Sequence, residues 1–276
     1  MSNKIHLLED EKQNSRHEQF KLFSQKAGEF FDVQGTAEIL KIPASEATKV
    51  LSRWHEQGRI LRISQGFYTV MPINISTQDF TLEDPWLIIP KLFDPCYVGG
   101  FSALENFDLT EQLFHKLFVF TTRPVKKSEI KIANQIFILT HVQDRQLFGL
   151  TPLWHGHTKI MISDMHRTLI DIFNDPQTGG GIQHSIDCLK NYLNKDEADL
   201  EKVKIYAEKF NNGAVFKRLG YLLSVYLGDS HPIVLKLQEN LTQGRAYLDP
   251  QQKTEVKLIT RWRLFVPLNI DIGEMG

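Results

Sequence analysis

Cysteine is nearly absent from this sequence: Cys96 and Cys188 are the only two in 276 residues, and they stand far apart. Two isolated thiols make neither a disulfide scaffold nor a zinc site, so buried cysteines in a reducing cytosol are expected. Long apolar runs are missing as well. The most apolar stretches, 86–90 and 117–120, fall far short of the roughly 20 residues that span a bilayer. The first residues, Met1 to His6, are polar and charged with no apolar segment behind them, so no signal peptide is recognisable and a cytoplasmic location without a membrane partner is expected. Charge of one sign is lacking too. A net charge of −1 and a pI near 6.8 exclude binding of nucleic acid by the whole surface, so any DNA contact has to come from a local concentration of Lys and Arg. There is no internal repeat, no low-complexity tract, and no Ser-His-Asp, Cys-His or Gly-x-Ser-x-Gly arrangement.

What remains is the composition of a soluble globular protein, 42% hydrophobic and 24% charged, long enough to bury its own core. After an arm that reads as frayed (Glu9 to Asn14), Phe20, Phe23, Ala27 and Phe30 fall at helical spacing and predict a first helix. A second helix is expected over 35–40, stopped where Pro43 disfavours helical geometry at Ile42. Ser45 is the expected N-cap of a third helix running to about Gln57, with Gly58 as its C′ residue. Ala47, Val50, Leu51 and Trp54 make one apolar stripe there, while Thr48, Lys49, Ser52 and Arg53 stand opposite. The period then changes to two β-rich runs, 60–63 and 67–70, joined through Ser64-Gln65-Gly66, a hairpin signal. Helix, short helix, turn, amphipathic helix and hairpin, in that order between Arg16 and Val70, predict a winged helix-turn-helix in a domain 1–72.

Residues 73–276 predict a larger mixed domain, so the fold class is α+β. Following a linker to Thr77, a helix is expected over 102–107, strands over 117–121, 130–133, 135–140 and 159–163, helices over 165–173, 182–193, 200–210, 214–227 and 232–241, and a last strand over 260–266.

The third helix carries the functional expectation. Such a helix enters the major groove with its polar face while the hairpin and flanks grip phosphates. Between Lys41 and Arg62 five basic residues (Lys41, Lys49, Arg53, Arg59, Arg62) face two acidic ones (Glu46, Glu56), a local net +3. Ser45, Thr48, Lys49, Ser52 and Arg53 are the candidate base and phosphate contacts, with Arg59, Arg62 and Gln65 at the wing. The plain alternative is a winged helix that only binds another protein. The basic turn Arg123-Pro124-Val125-Lys126-Lys127, with Lys131 beyond, is either a solvated loop or a second phosphate contact.

Other motifs favour their plain readings. Gly179-Gly180-Gly181 has no following Lys-Ser/Thr and is expected to be a flexible connection, not a nucleotide loop. His155 and His157, with His141 and His166 near in sequence, lack a third ligand at a metal-site spacing, so neither a metal nor another cofactor is expected. Asp164 is placed to cap a helix and Arg167 to pair with Asp171 at i, i+4; the rival reading, a metal-dependent nuclease, would need a third acid and a lysine. No catalytic set is identifiable and no enzyme is expected.

Four segments in order resemble the AbiEi-type antitoxins of abortive-infection, type IV toxin–antitoxin systems. They are Arg62-Ile63-Ser64-Gln65-Gly66-Phe67-Tyr68, Tyr97-Val98-Gly99-Gly100-Phe101-Ser102-Ala103-Leu104, the stretch from Asp164 to Asp171, and Arg218-Leu219-Gly220-Tyr221-Leu222-Leu223. Where that family typically has Pro-Glu, this chain has Met165-His166. The resemblance implies a repressor that binds operator DNA of its own operon through the N-terminal domain. It also implies a C-terminal domain that counters a nucleotidyltransferase-type toxin without a stable complex. The alternative is a one-component transcriptional regulator whose second domain senses a small ligand or a protein partner.

Overall fold

Burial of aromatic residues, above all Trp54, organises the first part of the chain. The computed structural model describes residues 17–72 and 74–273; the expected N-terminal arm lies outside them. Helix α1 covers 17–26. Next come β1 (Phe30–Asp32), α2 (Val33–Leu40), α3 (Ala44–Glu56), β2 (Ile60–Ser64) and β3 (Phe67–Val70). The three strands form an antiparallel sheet in the order β1-β3-β2. Trp54, fully buried, meets Phe20 edge-on at 5.0 Å and Phe23 at 4.9 Å, and Phe31, Val50, Leu51, Ile60 and Tyr68 complete this core.

Two local expectations change. Phe30 leaves the helical row and pairs with Thr69 in β1, because the helix has already ended and Phe30-Phe31 gain a sheet partner. Pro43, at φ −60° and ψ 149°, takes the N-cap position expected for Ser45: its carbonyl accepts from the Glu46 and Ala47 amides at 2.9 and 3.0 Å. The fixed proline φ starts α3 at Ala44 and leaves the Ser45 side chain outside the capping role.

The chain divides into two compact units. Among the described residues, the first runs to Asp84 and takes in Lys131–Gln135. The second holds Pro85–Ile130 and the chain from Ile136 onward. The boundary expected at 72/73 falls inside the first unit, where Met71 is buried and its amide donates to the Arg59 carbonyl at 2.8 Å.

The second unit is mixed α and β. A six-stranded sheet uses β4 (Cys96–Val98), β5 (Lys116–Thr121), β6 (Glu129–Ile132), β7 (Gln135–His141), β8 (Leu150–His155) and β9 (Thr158–Ser163), in the order β6-β7-β5-β4-β9-β8, and all of it but the β6–β7 tip, Lys131–Gln135, belongs to the second unit. The short helices α4 (Ile89–Phe93) and α5 (Phe101–Asn106) flank β4 in sequence. Five helices follow: α6 (Met165–Asn174), α7 (Ile182–Leu193), α8 (Leu200–Phe210), α9 (Gly213–Leu227) and α10 (Pro232–Glu239). A small sheet closes the chain, in the order β10 (Ala246–Tyr247), β12 (Leu264–Pro267), β11 (Val256–Ile259). The strand expected from Thr260 starts only at Leu264, because Thr260–Trp262 forms a 3₁₀ turn and Arg263 adopts φ 50°. Strands β4 and β8 were not expected: β4 is only three residues long, and β8 is an edge strand that carries Pro152. Among the described residues no helix is long and apolar enough to cross a membrane.

Within the glycine run Gly179 is tightly packed, whereas Gly181, at φ 99°, has open space around its Cα. A Cβ on Gly179 would meet Ile172 at 2.7 Å, and Gly180, at φ 82°, lies against Phe101 and His184. Gly220 of α9 is tighter still, since a Cβ there would come within 2.1 Å of the buried Trp262 ring. Gly220→Ala gains about 1 kcal/mol of helix propensity, yet overpacking of this kind costs about 1–3 kcal/mol. The expected net result is a lower midpoint in chemical denaturation; a raised midpoint would show that the Trp262 contact is not tight.

Candidate functional site

Because α3 buries Ala47, Val50, Leu51 and Trp54, its other side is held outward. Ser45, Thr48, Lys49 and Ser52 are exposed and Arg53 is half-buried, so five of the eight residues expected at the interface share one helix face. The Thr48 hydroxyl donates to the Ala44 carbonyl at 2.9 Å and the Ser52 hydroxyl to the Thr48 carbonyl at 3.0 Å. Both hydroxyls therefore offer acceptor lone pairs outward, while Lys49 supplies donors. Along the helix Glu46 and Glu56 balance Lys49 and Arg53, so the positive surplus comes from the flanks, Lys41, Arg59 and Arg62.

The remaining three residues separate. Arg59 is half-buried and its guanidinium lies 5.2 Å from the Phe20 ring centre, so it braces α1 as well as adding charge. Arg62 is exposed on β2 and its Nε donates to the Ser64 carbonyl at 3.3 Å. Gln65 is exposed at the hairpin turn beside Gly66, which adopts φ 74°. The His55 ring was not anticipated: its Nδ1 lies 3.2 Å from the Ile60 carbonyl and ties the end of α3 to β2.

The second unit contains a sealed ionic cluster. Arg167 and Asp171 pair at 3.0 Å with side chains 0% and 1% exposed. Arg167 Nε also donates to Asp171 Oδ1 at 3.1 Å, Nη2 donates to the Tyr97 hydroxyl at 2.9 Å, and that hydroxyl donates to the same Oδ1 at 3.0 Å. Nη1 donates to the Gln146 carbonyl at 2.9 Å, and the guanidinium sits 4.4 Å from the Phe148 ring centre. Three donors thus converge on one oxygen, and Asp171 Oδ2, also buried, has no hydrogen-bond partner among the described residues. Burial pushes the Asp171 carboxyl up against the pull of Arg167. Burial likewise raises the Tyr97 hydroxyl, with the Asp171 charge adding to it. For Arg167 burial opposes the charge, yet Asp171 and Tyr97 keep its pKa above the ordinary value.

Asp164 stands at the start of α6. Its Oδ1 accepts from the Arg167 amide at 2.8 Å. Its Oδ2 takes the Tyr206 hydroxyl at 2.9 Å and the Lys202 ammonium at 3.2 Å. The two carboxylates that a metal-dependent nuclease would use are therefore occupied, one by a cap and a surface cation, the other inside the core. His166 is buried in α6 with Nδ1 2.8 Å from the Tyr192 hydroxyl, and burial followed by the Lys202 charge lowers its pKa. His155 ends β8, stacked on Trp86 at 4.9 Å, whereas His157 lies in the following turn, so the pair does not share a strand face. Among the described residues no group of three or more His, Cys, Asp or Glu side chains could hold a metal ion. Burial pushes the Cys96 and Cys188 thiols up to about 12, which removes them as nucleophiles.

In the basic turn, Arg123 is committed: its guanidinium donates to the carbonyls of Asp94 and Leu92. Lys126 and Lys127 are exposed. Tyr97 was missed as a site residue because its partners are 70 and 74 positions away. The available signal was a tyrosine inside an apolar strand, whose hydroxyl needs a partner when buried.

No protein-family model matches the sequence, and no curated protein matches it. Among solved structures the chain is similar to the RV2827C protein from Mycobacterium tuberculosis, with 12% identity, a TM-score of 0.60 and coverage of 88% of each chain. At that identity the likeness concerns the fold alone.

Removal of Arg167 leaves Asp171 as an uncompensated buried charge. Arg167→Met is expected to cost about 3–5 kcal/mol of stability, and the double variant Arg167→Met/Asp171→Leu to recover most of it. Urea denaturation of both variants checks this; equal losses in the two would contradict the pairing.

Proposed function

We propose that the chain is a non-enzymatic DNA-binding antitoxin whose first unit is a winged helix-turn-helix. In this reading α2 and α3 form the helix-turn-helix, α3 is the recognition helix, and the β2–β3 hairpin is the wing. The observation that carries it is the outward face of α3, where Ser45, Thr48, Lys49, Ser52 and Arg53 stand together opposite the buried Trp54 stripe. Arg62 and Gln65 on the hairpin supply flanking contacts. The target is operator DNA upstream of the gene. The part played by the second unit, countering a nucleotidyltransferase-type toxin without a stable complex, rests on the resemblance of the Tyr97–Leu104, Asp164–Asp171 and Arg218–Leu223 segments to the AbiEi-type antitoxins. Arg167, Asp171 and Tyr97 lie within two of those segments and act there as a buried brace, so any contact with a toxin or its substrates falls to other side chains.

Binding to a duplex from the chain's own upstream region, titrated against salt, tests the first half. Lys49→Ala, Arg53→Ala and Arg62→Ala are each expected to weaken binding, and each lost phosphate contact to make the log–log salt slope shallower by about one. Unchanged affinity and slope in all three would refute the interface. Co-expression with a neighbouring toxin tests the second half: the triple variant Lys49→Ala/Arg53→Ala/Arg62→Ala should still rescue growth while losing repression. Failure of the wild-type chain to rescue from any such toxin would favour a one-component regulator.

A further inference from the structure

Strand β2 is an edge of the order β1-β3-β2, and a groove of roughly 390 Å³ runs along it within the first unit. One wall carries Arg62 and Ile63; the other carries Gln78, Lys131 and Asn134. The far wall is fixed in place. Ala133 and Asn134 adopt φ 44° and 65°, the two-residue geometry of a tight hairpin between β6 and β7, and Asn134 Nδ2 donates to the Gln78 carbonyl at 2.8 Å. Arg62 and Lys131 are both exposed. Among the described residues neither has a carboxylate partner, and no residue lining the groove is acidic.

We infer that this groove is a second phosphate-binding element, in which Arg62 and Lys131 hold the DNA backbone from opposite walls. The inference rests on the reading of α3 as a recognition helix and extends its interface past the hairpin. Two cations without a carboxylate partner among the described residues, facing one slot and flanked by neutral amides, complement a sugar-phosphate strand. Phosphate contacts carry no base information, so the contribution of Arg62 and Lys131 here is independent of sequence. It also gives Lys131 a role that Arg123, tied to the Leu92 and Asp94 carbonyls, cannot share.

The test uses the full chain, a duplex from its own upstream region and a scrambled duplex of equal length and composition. Lys131→Ala is expected to weaken binding to both duplexes by the same factor and to make the salt slope shallower by about one. Lys131→Glu is expected to weaken both further, with an unchanged melting temperature. Lys49→Ala should act mainly on the upstream duplex. If the wild-type chain binds DNA and both Lys131 variants match it in affinity and slope, the groove proposal falls while the α3 reading stands. If the wild-type chain binds neither duplex, both fall.

Discussion

A helix that turns one polar face outward has to be held firmly by the other, and in this chain Trp54 does the holding. Its ring is fully buried between Phe20 and Phe23 of α1, and Val50 and Leu51 extend the contact along α3. A large aromatic fixes the roll of a helix more tightly than aliphatic contacts do, because it fills a pocket of one shape and its burial is worth several kilocalories. The roll in turn decides which side chains face outward. His55, bonded to the Ile60 carbonyl, sets the start of the hairpin, and Arg59 over Phe20 links it back to α1. The outward positions of Lys49 and Arg53 follow from that buried ring, while β2–β3 pairing places Arg62.

The second unit is locked differently. Arg167, Asp171 and Tyr97 join α6 to β4, and the Arg167 bond to the Gln146 carbonyl adds the segment before β8. Buried ion pairs are expensive to desolvate, and they repay the cost only when hydrogen bonds satisfy the remaining valences. Here one oxygen of Asp171 is without a partner among the described residues, so the cluster is less than optimal for stability. What it does supply is a set of directional bonds from α6 to the Tyr97 hydroxyl of β4.

Periodicity made the first unit largely legible. The stripe from Ala47 to Trp54 declares α3, and Gln65-Gly66 declares the hairpin, because both are local patterns. Phe30 misleads since its strand exists only through pairing with Thr69, a partner that no window around Phe30 contains. Ser45 misleads since proline geometry at Pro43 takes precedence over a polar cap. In the second unit the helices α7 and α8 stand where their spacing puts them. Strands β4 and β8 do not announce themselves: one is too short to alternate, and the other carries Pro152 at an open edge. The Arg167–Asp171 pair is visible at i, i+4, but its burial and its third member, Tyr97, depend on contacts across the fold. The outward face of α3 was therefore readable residue by residue, while the groove with Lys131 emerges only in three dimensions.

The central claim is that DNA meets the outward face of α3. Amide chemical shifts of the isotope-labelled chain, followed as a duplex from its upstream region is added, test it most directly. Changes concentrated at Ser45, Thr48, Lys49, Ser52 and Arg53, and continuing to Arg62 and Gln65, are the predicted result. Changes confined to α1 and α2, or to the second unit with α3 undisturbed, would contradict it.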